Sequence, residues 1–86
     1  MDKAKKGKTV KKAPDKEVKR LAERIKALRI KAGYTNHEHF AYDKNINRVQ
    51  YFRYEKGEDL RYTSLLRVIK AHGMTQKEFF SEGFED

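Results

Sequence analysis

Between Asp15 and Phe80 the chain is punctuated by helix starts and stops, too closely for any long element after the first. Asp15, Thr35 with Glu38, Asn47 with Gln50, and Thr75 with Glu78 have the spacing at which a side-chain oxygen satisfies the free N–H groups of a first helical turn. Gly33, Asn45 and Gly57 fall where a left-handed residue ends a helix. No stretch alternates with period two, so the pattern predicts an all-α fold of five helices. The first runs from Lys16 towards Gly33, with Val18, Leu21, Ile25, Leu28 and Ala32 on one stripe and cations opposite. A short second helix opens near Asn36 and turns Phe40 and Ala41 inward, with Ile46 in the turn that follows it. The third spans 47–56. After a loop, EDLRY, a fourth turns Leu65, Val68 and Ile69 inward, and the last carries Phe79 and Phe80.

Eighty-six residues allow one domain with a small core, and without Cys neither a disulfide nor a thiolate metal site can staple it. No run of 18 apolar residues and no apolar h-region occurs, so neither a membrane span nor a secretory signal is expected, and the expected location is cytoplasmic. Charge is the first functional hint. There are 21 Lys+Arg against 13 Asp+Glu, and residues 1–20 alone hold nine cations and three acids. Residues 1–13 therefore read as a flexible basic arm carrying Lys3, Lys5, Lys6, Lys8, Lys11 and Lys12, with too few apolar side chains to fold by itself, ahead of a nearly balanced domain over 14–86. Such an arm favours polyanions, with a solvated tail as the plain alternative.

The segment NRVQYFRYEK carries three cations and three aromatics in ten residues. At 100° per residue, Arg48, Val49, Phe52, Arg53 and Lys56 share one face, and Gln50, Tyr51, Tyr54 and Glu55 the other. Burying three cations without partners costs far more than leaving them in water, so the Tyr51 and Tyr54 face should pack inward. That strands Phe52 among arginines. A lone exposed Phe is ordinary; on a helix lying in DNA it can instead contact a thymine methyl while Arg48 or Arg53 reads guanine. Two short helices joined by a tight turn, the second cationic, describe a helix-turn-helix.

With these residues in place, Leu21 to Phe80 resembles the Xre/Cro/cI-type helix-turn-helix domains of phage repressors and bacterial regulators, most closely the version common in Bacteroidetes-type bacteria. The matches are Phe40-Ala41 at the family's Leu-Ala pair, Ile46 in the turn, and Glu55-Lys56-Gly57 at its Glu-x-Gly, with fifteen residues from Phe40 to Glu55. The resemblance implies a compact lambda-repressor-like domain that binds double-stranded DNA. By position it implies base contacts from Arg48, Val49 and Arg53 with Phe52 beside them, and phosphate contacts from Asn36 and His37, with Asn47, Lys56 and Arg61 as further candidates. It also implies a buried ion pair between Arg29 and Glu55. The chain departs from the family in a longer turn before Phe40, in the acidic EDL after Gly57, and in His72 at a position usually held by a core Leu. A partly buried, hydrogen-bonded histidine is expected there.

His37 and His39 stand two apart, so on a helix they cannot share an ion, and no metal or other cofactor is expected. No nucleophile triad, phosphate loop or carboxylate dyad appears, and a Glu55 paired with Arg29 is not poised for proton transfer, so no enzyme is expected. Phe79 and Phe80 either finish the core, leaving Phe84 loose, or join it in an exposed patch for a homodimer. The function expected is that of a sequence-specific, nucleoid-associated transcriptional regulator, a repressor with no small-molecule effector implied. A protein–protein interaction module on the same fold, without base readout, is the alternative.

Overall fold

The structure, a computed structural model, describes residues 15–58 and 60–85; the basic arm, Pro14 and Asp59 lie outside the described residues. Five helices follow in order: α1 (Lys16–Lys31), α2 (His37–Asp43), α3 (Arg48–Glu55), α4 (Tyr62–Ala71) and α5 (Gln76–Phe79). No strand occurs among the described residues.

Local chemistry explains the boundaries. The Asp15 carboxylate accepts from the Glu17 N–H at 2.9 Å, and the Asn47 side chain from the Gln50 N–H at 3.0 Å. Thr75 and Glu78 form the full reciprocal box, each side chain accepting from the other's backbone N–H. The start of α2 differs from expectation. Asn36, not Thr35, is the cap, accepting from Glu38 N–H at 2.6 Å and His39 N–H at 3.4 Å, so the Thr35–Glu38 spacing was incidental. The fourth helix also begins one residue early, at Tyr62, on an Arg61 that gives no side-chain cap.

The four longer helices close in one way. At the end of α2, Asn45 adopts φ 58°, Ile46 N–H reaches back to the Ala41 carbonyl at 2.8 Å, and Asn45 N–H to that of Tyr42 at 3.2 Å. A left-handed residue is needed there, and Asn tolerates it better than most side chains. The closure drives Ile46 into the core and reverses the chain so that only four residues separate α2 from α3. The same pair of hydrogen bonds ends α1 at Gly33, α3 at Gly57 and α4 at Gly73.

α2 packs on α3, α3 on α1, and α4 on α5, around one core. At its centre is Phe40, fully buried, with Tyr34, Tyr51 and His72 against it at 5.3, 5.0 and 4.9 Å between ring centroids. α1 buries Ala22, Ile25, Leu28 and Arg29. The expected stripe was displaced: Ala32 is exposed because it is already the C-cap, where the chain turns away, and Val18 and Leu21 are half-buried. Two cations expected to be solvated instead fasten the C-terminus. Arg24 donates to the Phe79 carbonyl at 2.8 Å and the Glu78 carbonyl at 3.1 Å, and Arg20 to the Phe84 carbonyl at 3.4 Å. Phe79 is fully buried, Phe84 packs against the core and Phe80 is 42% exposed, so neither arrangement expected for the three holds as a whole.

His72 also corrects an expectation. Its ring stacks on Phe40, but the buried Nε2 has no hydrogen-bond partner. Burial, with help from the charges of Lys44 and Arg24, holds its pKa below the ordinary 6.5. The unfolded chain then binds the extra proton more readily than the folded one. The stability associated with neutral His72 is complete above pH 6.5 and is lost as the pH falls through the lowered folded value. Urea unfolding midpoints should therefore drop between pH 7.5 and 5.5, and His72→Leu should flatten that difference. An unchanged pH-dependence in the variant would remove His72 as its source.

Candidate nucleic-acid interface

The third helix is held from behind by two interactions. Tyr51 and Tyr54 project into the core, where Tyr51 is fully buried. At its C-terminal end Glu55 receives a two-point contact from Arg29, Nε to Oε2 at 2.7 Å and Nη2 to Oε1 at 3.1 Å. Both side chains are over nine-tenths buried. The remaining Arg29 Nη1 donates to the Tyr34 carbonyl at 2.7 Å, so one guanidinium ties α1 to both α3 and the segment before α2. The pair itself raises the Arg29 pKa, chiefly through the hydrogen bond that Arg29 donates to Glu55. The buried Tyr51 hydroxyl has no well-formed hydrogen bond, and its pKa is also raised, first by burial and then by the neighbouring carboxylate. The ion pair implied by the family resemblance is thus present in the geometry.

With that face anchored, Arg48, Val49, Phe52, Arg53 and Lys56 all lie exposed on the outer face. Val49 is 56% and Phe52 42% exposed. Phe52 is not isolated: His37 stacks on it at 4.7 Å between centroids, and the Lys56 ammonium lies 5.1 Å from its ring centre. His37, Glu38, Arg48, Val49 and Phe52 line a shallow groove between the start of α2 and the outer face of α3. Arg53 Nε meets Glu58 Oε1 at 3.7 Å with both groups about half exposed, a contact worth little in water. Arg48 makes no ion pair or hydrogen bond among the described residues.

The residues expected at phosphates are spread around this face. Asn36 and Asn47 are the N-caps of α2 and α3; their side-chain oxygens are engaged, which leaves the amide N–H groups to donate. His37 is the one brought against the outer face of α3, through Phe52. Arg61 stands instead on the flank beside α4, in a polar depression with Gln50, Tyr54, Ser64 and Arg67. The helical angle had turned Gln50 inward, yet it is exposed, and Arg67 was not singled out at all. An acid-free α4 carrying two cations was the available signal for Arg67. Lys3, Lys5, Lys6, Lys8, Lys11 and Lys12 lie outside the described residues. His37 and His39 diverge, His39 lining a second groove with Tyr42, Ile46 and Arg48. No cluster of three metal-ligating side chains occurs among the described residues, and none of their helices is long and apolar enough to cross a membrane.

Compared with protein-family models, curated proteins and solved structures, the chain finds no match.

Two measurements check how α3 is anchored. Arg29→Met should cost about 3–5 kcal/mol, because it strands a buried carboxylate. That is comparable with the whole stability of a domain this size, about 4–10 kcal/mol. The double variant Arg29→Met/Glu55→Leu should recover much of the loss; simple additivity in urea titrations would contradict the pairing. In the same assay Tyr51→Ala should cost about 3–5 kcal/mol. Phe52→Ala should cost about 1 kcal/mol, the scale of a half-exposed aromatic contact. Similar losses from the two would mean that the outward face has been misassigned.

Proposed function

We propose that this chain is a sequence-specific DNA-binding transcriptional regulator, a repressor, and that α2, its turn and α3 form a helix-turn-helix of the Xre/Cro/cI type. The observation that carries the reading is the division of α3. Its aromatic and acidic side is locked into the domain, and its outer side holds three cations around two apolar side chains. A helix so presented has the dimensions and chemistry to enter a major groove. Arg48 and Arg53 are the guanine readers, each able to make a two-point contact to O6 and N7, and Val49 and Phe52 supply apolar contact to thymine methyls.

The ground-state partners favour this use. Arg53 has only to leave an exposed Glu58, at a cost of no more than about 1 kcal/mol. Phe52, braced by His37 and Lys56, keeps its position without losing its exposure. Phosphate contacts from Asn36, His37, Asn47 and Lys56 set the register, and the arm adds affinity without sequence information. Six arm lysines on phosphates would steepen the salt dependence of binding by at most about 5 in log–log slope.

Selection of bound sites from random duplex DNA at near-physiological salt tests this, with the full chain and a chain lacking residues 1–13 compared. A motif enriched by both is expected. Arg53→Ala should then relax preference at one base by about 1–3 kcal/mol, and removal of the arm should weaken all duplexes alike. No enrichment, with all binding lost alongside the arm, would replace the reading with that of a protein-interaction module.

A further inference from the structure

The flank of α3 that faces α4 carries a feature the outer face does not use. Gln50 and Tyr54 on α3, with Arg61, Ser64 and Arg67 on or just before α4, line one shallow depression. Ser64 and Arg67, three apart, share one side of α4, and Arg61 stands at its N-cap, while Leu65, Val68 and Ile69 turn to the core. Neither arginine has an ion pair or hydrogen bond among the described residues, and no carboxylate is among the described residues that line the depression. Within α4 itself there is no acid at all. Of the other arginines, Arg24 is engaged on the α5 carbonyls, Arg29 on Glu55 and Arg53 on Glu58, while Arg48 on the outer face of α3 likewise has no partner among the described residues. Two unengaged guanidiniums in one depression repel each other, and the donors beside them, the Gln50 amide and the Tyr54 and Ser64 hydroxyls, are those that an oxyanion accepts from.

We propose that this depression is a phosphate-binding site, with Arg61 and Arg67 supplying charge and Gln50, Tyr54 and Ser64 supplying neutral donors. Resting on the DNA-binding reading above, its occupant is a phosphodiester on the strand that borders the groove entered by α3. On the α3 wheel Gln50 follows Arg53 by 60°, so the depression continues directly from the outer face. A phosphate seated there fixes the rotation of α3 about its own axis, and with it which bases Arg48 and Arg53 meet. Free inorganic phosphate or a phosphorylated small molecule presents the same chemistry.

Full-length chain carrying Arg67→Ala, Arg61→Ala or Arg67→Lys is compared with the unaltered chain for duplex affinity between 50 and 200 mM salt. Lys26→Ala, an exposed cation on α1, serves as control. Loss of one phosphate contact lowers the log–log salt slope by about 0.9, so the affinity lost across that salt range shrinks by about 3.5-fold. Arg67→Ala is expected to do this equally for all duplex sequences, with Arg67→Lys retaining the slope and Lys26→Ala leaving it unchanged. Duplex binding with the same slope in Arg67→Ala as in Lys26→Ala overturns the site. If the unaltered chain binds no duplex, the DNA reading fails separately. A titration with inorganic phosphate against chloride at matched ionic strength, followed by NMR at the Arg61 and Arg67 guanidiniums, then decides. Phosphate-specific shifts keep the site as one for free phosphate, and their absence overturns it.

Discussion

A guanidinium with three hydrogen bonds organises the molecule. Arg29 is on α1, its carboxylate partner is at the end of α3, and its third acceptor is the Tyr34 carbonyl before α2. A small core of helices this short has little apolar area with which to set the placement of one helix against another. Directional, charge-assisted bonds do so where packing alone leaves freedom, and a planar fork suits two carboxylate oxygens as an ammonium does not. Desolvating both charges offsets much of their attraction, so the pair contributes more to placement than to net stability.

That placement decides what α3 presents. With Tyr51 against Phe40 and Glu55 on Arg29, the helix has no rotational freedom, and Arg48, Val49, Phe52 and Arg53 are outward by necessity. The His37 ring then bridges α2 to Phe52, so the two short helices are joined on their solvent side as well as through Phe40 and Ile46. An exposed aromatic held by two neighbours is stiffer than one left free, and a stiff side chain loses less entropy when it meets a partner.

Much of this was legible in the chain. Caps and left-handed stops act through the nearest few residues, so Asp15, Asn45, Asn47 and Thr75 declared themselves, and a helix with cations on one side and tyrosines on the other has only one affordable orientation. What stayed hidden depends on distant parts of the chain. Asn36 and Thr35 are both competent caps, and only the tertiary path selects between them. Ala22 and Ala32 are alike in sequence, but one faces the core and the other ends its helix. Arg24 reads as a solvated cation because the carbonyls it satisfies lie more than fifty residues away. Gln50 falls on the inward side of an ideal wheel, yet the wall there is the depression beside α4 rather than core.

Charge is sorted by element in a way that composition conceals. Residues from Gln76 onward hold four acids and one lysine, whereas Arg48 to Lys70 holds six cations and three acids, two of which are Glu55, paired with Arg29, and Asp59. Net charge over the domain is therefore small while its field is not. Fields of this kind act over about one Debye length, roughly 8–10 Å in physiological salt, so they orient a polyanion only once it is already close. A basic arm works at longer reach and without orientation. On the proposed DNA-binding reading the two divide the work of association: the arm raises the frequency of encounter, and the α3–α4 surface determines which encounters fit. On that reading neither part substitutes for the other, since an arm alone would bind every polyanion alike, and the domain alone would draw its affinity from the charges and geometry of the α3–α4 surface.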